Sequence, residues 1–271
     1  DGALLDAAAA GELSDPTAVE AHVERMLADP KAAALSEGLT MQWLPGRLVA
    51  VMTPDPTRYP FDDALRSGLK EETRRFFESF FTENLPVPDL LDAKFTFVNE
   101  RVAQHYGIPG VSGPEWRRVD LTEFPQRGGL LSQGTFLAGT SPAADTSVVG
   151  RGKWVLANLL CSAPPPPPDS VDLEKLTIDP AASKKQQMAQ HRSDPGCAVC
   201  HTSMDPIGFG LENYDIIGAW RTKIGIHEVD AAGALPNGGA FNGPREMFGA
   251  LKADPRFTEC LTRTLYTYAL G

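Results

Sequence analysis

Long apolar runs are missing from this sequence. No stretch approaches the roughly 20 apolar residues of a membrane-spanning helix, and no cationic, apolar leader precedes Asp1. The expectation is a soluble chain with no transmembrane segment, any export signal having been removed or lying upstream. Cationic residues are also in deficit: 25 Lys and Arg against 35 Asp and Glu leave a formal net charge of −10. That sign argues against a nucleic-acid partner, because a phosphate backbone selects for Lys and Arg. It suits a basic protein partner and equally serves solubility alone. Internal repeats are absent, and cysteine is scarce, with four residues: Cys161, Cys197, Cys200 and Cys260.

The 271 residues are 42% hydrophobic, enough for one substantial core or two small ones. Helical signals fill the first part. "SDPTAVEAHVERMLADP" has a polar cap, Pro16 in the first turn, and apolar Val19, Val23, Met26 and Leu27 near helical spacing. A second helix is expected from Pro30 through Leu35, Leu39, Trp43 and Leu44 to Pro45. "DDALRSGLKEETRRFFESFFTEN" sets Leu65, Leu69, Phe76, Phe77, Phe80 and Phe81 towards one side, a stripe read as core. "NERVAQHYG" is a short helix between Asn99 as N-cap and Gly107 as stop. Residues 110–146 read as loop and short turns, and "VVGRGKWVLANLLC" as a helix. Five prolines at 164–168 predict polyproline II, either a stiff spacer or a recruiting site for a proline-binding domain. A further helix covers "PAASKKQQMAQHRSD". "HEVDAAGALPNGGAF" predicts a hairpin turning at Asn237–Gly238, and a last helix starts from Asp254 and Pro255.

The chemistry concentrates in Cys197-Ala198-Val199-Cys200-His201. This CxxCH spacing suits covalent haem, two thiols adding to the two vinyl groups and the next histidine serving as proximal iron ligand. A zinc site is the alternative; it lacks a second knuckle, although His191 or Cys260 would complete it. A thioredoxin-like dithiol would follow a strand, and the upstream segment is not strand-like. With the motif as one unit, Cys161 and Cys260 form an even remainder. That fits a disulfide in an oxidising compartment, with two buried free thiols as the alternative.

"RGGLLSQGTFLAGTSPAADTSVVGRGKWVLANLLCSAPPPPP" and "HRSDPGCAVCHTSMDPIGFGLENYDIIGAWR" resemble the planctomycete-type cytochrome c domain family. "PDPTRYPFDDALRSGLKEETRRFFESFF" and "LLDAKFTFVNERVAQHYGIPG" resemble the helical domain that precedes it. "VDAAGALPNGGAFNG" and "FTECLTRTLYTYALG" resemble the small domain that ends those proteins. The resemblance implies a mainly α chain: a helical domain packed on a c-type cytochrome domain, with long irregular loops and a small β-hairpin. The expected domains are 1–110, helical and the C-terminal part of a longer region in the family's larger members; 111–225, binding haem c; and 226–271, a hairpin plus helix. Export is implied too, to a bacterial periplasm or beyond.

Cys197 and Cys200 are then the expected thioether positions and His201 the proximal ligand. His191 and His105 match positions that carry histidine in the family's pattern and are the candidate distal ligands, each equally readable as a surface or supporting histidine. Met204, three residues past His201, falls on the same side of the haem and is read as packing; Met41, Met52, Met188 and Met247 are read mostly as core filler. Arg151, Lys153, Arg192 and Arg221, with Trp154 and Trp220, are candidates to hold the haem propionates, since arginine binds carboxylates through a planar fork. Asp205, Glu212, Asn213 and Asp215 are readable as a catalytic set, or as a turn cap at Asp205–Pro206 with the others bonded to backbone. Three functions follow: electron transfer with a redox partner protein, a haem enzyme of peroxidase or dehydrogenase type with an open distal site, or a haem-bearing module of a cell-surface assembly.

Overall fold

The computed structural model of the protein describes residues 1–166, 179 and 181–270. It is mainly helical. α1 (Gly2–Ala9) and α2 (Pro16–Leu27) lead, α2 starting where the Asp15 carboxylate accepts from the Thr17 N–H. α3 (Ala33–Gly38) passes into a wider π-type turn over Leu39–Trp43, and α4 (Gly46–Val51) begins after Pro45. The helix expected from Pro30 to Leu44 is therefore irregular. The Thr40 hydroxyl bonds back to the Ser36 carbonyl at 2.8 Å, competing with the helical ladder at that point.

α5 (Asp63–Thr82) is capped by Asp62, whose Oδ1 accepts from the Leu65 N–H at 2.6 Å. Its Leu65, Leu69, Phe76, Phe77 and Phe80 are buried, and Phe81 packs half-buried on the same core. α6 (Glu100–Tyr106) runs between the Asn99 cap and left-handed Gly107 at φ 71°. β1 (Phe95–Val98) pairs antiparallel with β2 (Arg117–Asp120), Phe95 opposite Asp120. Residues 110–146 thus hold more structure than expected, including β2 and α7 (Gly134–Gly139), all six of whose residues are buried. An element enclosed on every side shows no amphipathic period, which is why "GTFLAG" gave no helical signal.

α8 (Val148–Asn158) ends in a left-handed turn at Cys161, φ 46°, with the Ser162 N–H returning to the Leu156 carbonyl at 2.8 Å. α9 (Lys184–His191) and α10 (Pro195–Phe209) follow. Two small hairpins come next: β3 (Lys223–Ile224) with β4 (His227–Glu228), and β5 (Ala232–Ala234) with β6 (Ala240–Asn242). The second turns over residues 235–239, with Gly238 at φ 91°, so the Asn237–Gly238 site lies inside a longer loop. α11 (Pro244–Lys252), not foreseen, leads to α12 (Pro255–Leu270). A disulfide between Cys161 and Cys260 joins the end of α8 to α12 across 99 residues. Closing so long a loop is worth about 4–5 kcal/mol in the chain-entropy account. No helix among the described residues is long and apolar enough to cross a membrane.

The main core draws on Phe76, Leu156 and Phe257, and so on all three segments marked out in the sequence. The β1–β2 pairing also crosses residue 110. The α2 stripe is the exception to burial: Val19, Val23 and Met26 remain 40%, 49% and 40% exposed. Val19 and Val23 line a cleft of about 850 Å³ with Leu13, Leu27 and Phe81.

Two contacts position the site-bearing helices. α8 crosses α10 at Gly152 and Gly208: a Cβ on Gly152 would run into the Met204 carbonyl, and one on Gly208 into the Val148 carbonyl. Beyond the crossing, Arg151 is fully buried, and its guanidinium donates to the carbonyls of Leu211 and Tyr214 at 2.8 Å and of Asp215 at 2.6 Å. It thereby ties the chain leaving α10 to α8. Elsewhere, buried Glu72 accepts from Thr96 Oγ1 and Tyr106 Oη, both at 2.6 Å, and Tyr106 Oη accepts from the Gly134 N–H at 2.9 Å. Burial raises the Glu72 pKa to about 7, the bonds from Thr96 and Tyr106 opposing it.

Two stability measurements test this packing. Gly152→Ala gains up to about 1 kcal/mol of helix propensity but meets backbone that cannot give, so denaturation should show a net loss of about 2 kcal/mol. Gly249→Ala in α11, with open space around it, should instead gain about 0.5–1 kcal/mol. Because the Glu72 pKa is raised on folding from 4.5 to about 7, the native chain holds the extra proton between those values, and stability should fall as pH rises through that window. The loss is about 3 kcal/mol, and Glu72→Gln should abolish it.

Candidate functional site

α10 begins at the Asp194 carboxylate, whose Oδ1 accepts from the N–H groups of Gly196 at 2.7 Å and Cys197 at 3.4 Å, with Pro195 in the first turn. The motif is therefore helical from its first cysteine. Residues three, four and eight places along a helix share a face, which sets Cys197, Cys200, His201 and Asp205 along one side of α10. Cys197 is buried, Cys200 half-buried, and both are free thiols. Burial and the nearby Asp194 carboxylate raise the Cys197 pKa. A low-pKa redox dithiol needs the reverse, and the element upstream is helix α9 rather than a strand. Cys200 Sγ lies 3.6 Å from the Pro165 carbonyl oxygen, so the proline run starts against the motif. Pro164–Pro166 carry neither helix nor strand, and Pro167 and Pro168 lie outside the described residues.

His201 is held from both sides. Its Nδ1 is 2.9 Å from Asp205 Oδ1, and Asp205 is fully buried, with Arg192 Nη1 at 2.6 Å from its other oxygen. A carboxylate is an acceptor, so Nδ1 carries the proton and Nε2 presents a lone pair. Facing that lone pair at 3.1 Å is His191 Nε2, the two rings 4.4 Å apart between centroids and inclined at 70°. His191 therefore donates. Its pKa is lowered, first by burial and then by His201, in keeping with a neutral donor ring.

The other sequence-derived candidates lie elsewhere or are already engaged. His105 is half-buried on α6 with its Nε2 2.8 Å from the Ile217 carbonyl, and desolvation pushes its pKa down to about 4. Only His191 of the two candidate distal histidines is brought to His201. Cys260 is in the disulfide and is withdrawn from any zinc site. Arg151 is engaged by three carbonyls through Nη1 and Nη2, and Arg221 bonds the Glu212 carbonyl, Glu212 Oε2 and Thr146 Oγ1. Both brace the turn after α10 instead of standing free for propionates. Trp154 packs on Trp43 and Phe136 within the core, Trp220 stands edge-on to Tyr214, and Met204 is buried as packing. Arg192 pairs with Asp205.

The proposed carboxylate set separates. Asn213 and Asp215 do satisfy backbone, Asp215 Oδ1 accepting from Ile217 and Ala219 N–H at 2.9 Å, while Glu212 joins Arg221. Asp205 does not cap a turn. It sits inside α10 and serves His201, a role signalled by the i, i+4 spacing from a histidine that the flanking Pro206 obscured.

Among the described residues no three His, Cys, Asp or Glu side chains converge as a metal site. A tetrahedral zinc centre thus lacks a gathered ligand set. A porphyrin brings four of its iron's ligands itself and asks the chain only for two thiols and an imidazole with a free, oriented nitrogen. The donor set fits that requirement.

Residues 127–224 match the family model described as PSCyt3, protein of unknown function (DUF1588), and residues 1–108 match the one described as PSD4, protein of unknown function (DUF1592). The names suggest planctomycete cytochrome c domains, and neither description states an activity. No curated protein and no solved structure matches the chain.

Alkylation under denaturing conditions tests the thiol assignments. Cys161 and Cys260 should react only after reductant is added. Cys197 and Cys200 should react without it in chain made where no haem is attached, and not at all where both are thioethers.

Proposed function

We propose that this protein carries one haem c, attached through Cys197 and Cys200 with His201 as proximal ligand, and passes electrons to or from a protein partner outside the cytoplasm. The observation that supports this most is the placing of His201: on the same helical face as both thiols, its Nδ1 is bonded to Asp205, which leaves Nε2 as the nitrogen to bind metal once the His191 N–H facing it turns away. When bound, the haem supplies a one-electron couple. The chain's own work is to present the thiols, keep His201 in one tautomer, and offer His191 as the second axial group.

An iron held by both histidines would stand between their Nε2 atoms, now 3.1 Å apart, so the pair would have to separate and His191 would have to carry its proton on Nδ1 instead. α9 has no buried residue and is held by the polar contacts of Lys184, Lys185 and Arg192. The disulfide supports an oxidising compartment such as the periplasm, and the net charge of −10 suits a basic redox partner.

One observation favours a second reading, a haem enzyme with an exchangeable distal position. His191 is held by a short helix without a buried residue, so an exogenous ligand would displace it at little cost. The third reading, an interaction module, has no support beyond the proline run.

The visible spectrum of the reduced protein, made in a host that matures c-type cytochromes, tests all of this. A haem c spectrum unchanged by carbon monoxide is the outcome expected for electron transfer, and a clear shift moves the assignment to the enzyme reading. A colourless product overturns both. Cys197→Ala or Cys200→Ala should lose haem and lower Tm together, by about 5 °C or more.

A further inference from the structure

Asp205 is a charged side chain with no exposed surface, set in the middle of α10. Burying a carboxylate is costly unless both oxygens are bonded, and here each oxygen has a different task. Oδ1 takes the His201 Nδ1 proton at 2.9 Å, and Oδ2 takes Arg192 Nη1 at 2.6 Å. Arg192 is the residue immediately after His191 and closes the C-terminal end of α9, its N–H returning to the carbonyls of Met188 and Gln190. One carboxylate thus grips one histidine of the pair directly and the other through its chain neighbour.

We infer that Asp205 is the positioning residue for the histidine pair: it selects the Nε2-free tautomer of His201 and, through Arg192, sets where His191 stands against it. The tautomer follows from hydrogen-bond chemistry alone, since a ring bonded to a carboxylate through Nδ1–H must leave Nε2 unprotonated when neutral. The consequence for a metal rests on the haem c reading. A carboxylate behind the ring makes His201 a stronger donor and so favours the ferric over the ferrous state.

The test has one part that needs no haem. In the full-length chain made where no haem is attached, ring ¹⁵N NMR should find His201 protonated at Nδ1 and His191 at Nε2. Asp205→Asn, which keeps shape but loses charge and one acceptor, should let His201 populate both tautomers. Arg192→Gln, at a partly exposed position, should leave the His201 tautomer intact. In the haem-loaded protein, spectroelectrochemistry should show the reduction potential of Asp205→Asn raised. A tenfold weaker preference for the ferric state reads as about 59 mV for one electron. Arg192→Gln should gain a carbon monoxide shift that the parent lacks, as His191 loosens.

A wild-type His201 protonated at Nε2 overturns the proposal outright. So does an Asp205→Asn protein that loses stability while tautomer and potential stay put, which is what a purely structural ion pair would give. If the wild type attaches no haem, the haem reading fails while the NMR result still decides the role of Asp205.

Discussion

Helices α8 and α10 meet backbone to backbone, and the surroundings of the histidine pair depend on that crossing. Gly152 and Gly208 are the two positions where any Cβ would enter the partner's carbonyl. Once the helices lie that close, the residues flanking the contact have little freedom. Arg151, beside Gly152, is placed under the turn that leaves α10 and donates to the carbonyls of Leu211, Tyr214 and Asp215. Met204 and Ile207 are turned into the main core. Met204 is three residues past His201 and four past Cys200, so it shares the face of α10 that carries the motif, one turn further along.

The two ends of α10 are in different mechanical states. Its second half is locked by the glycine crossing, by Arg151 and by core packing, whereas its first half meets α9, which has no buried residue. His201 and Asp205 lie on the boundary between them. The two histidines thus come from helices of different kinds, His201 from one packed into the core and His191 from one held by polar contacts. The Arg221–Glu212–Thr146 cluster braces the turn after α10 and also reaches α9, since Lys184 Nζ donates to the Thr146 carbonyl at 2.8 Å. Polar groups buried in this way do more for uniqueness than for net stability, since each charge must first be taken out of water.

Much of this was legible in the residues. The α5 phenylalanines, the caps at Asn99 and Asp15 and the hairpin near Asn237–Gly238 all carry local signals, and the structure places each in an element of the type expected. The losses were of two kinds. Fully enclosed elements such as α7 have no polar face, so their period is invisible. Long-range polar partners are invisible as well: Arg151 and Arg221 have the composition of propionate ligands, and nothing in their neighbours says that backbone carbonyls and Glu212 take them up instead. The α2 stripe erred in the opposite direction, an apolar face with correct spacing that the fold leaves half exposed beside a cleft.

By itself the sequence determined the helical class, the CxxCH spacing of Cys197, Cys200 and His201, and the short list of histidines and cysteines from which partners had to come. Those follow from spacing along one helix, which needs no tertiary information. Only the tertiary structure brought His191 rather than His105 beside His201, paired Cys161 with Cys260, and revealed Asp205 behind His201. These choices depend on which helices touch. That is set by where two glycines allow backbones to meet, a distance condition between α8 and α10 that no local pattern encodes.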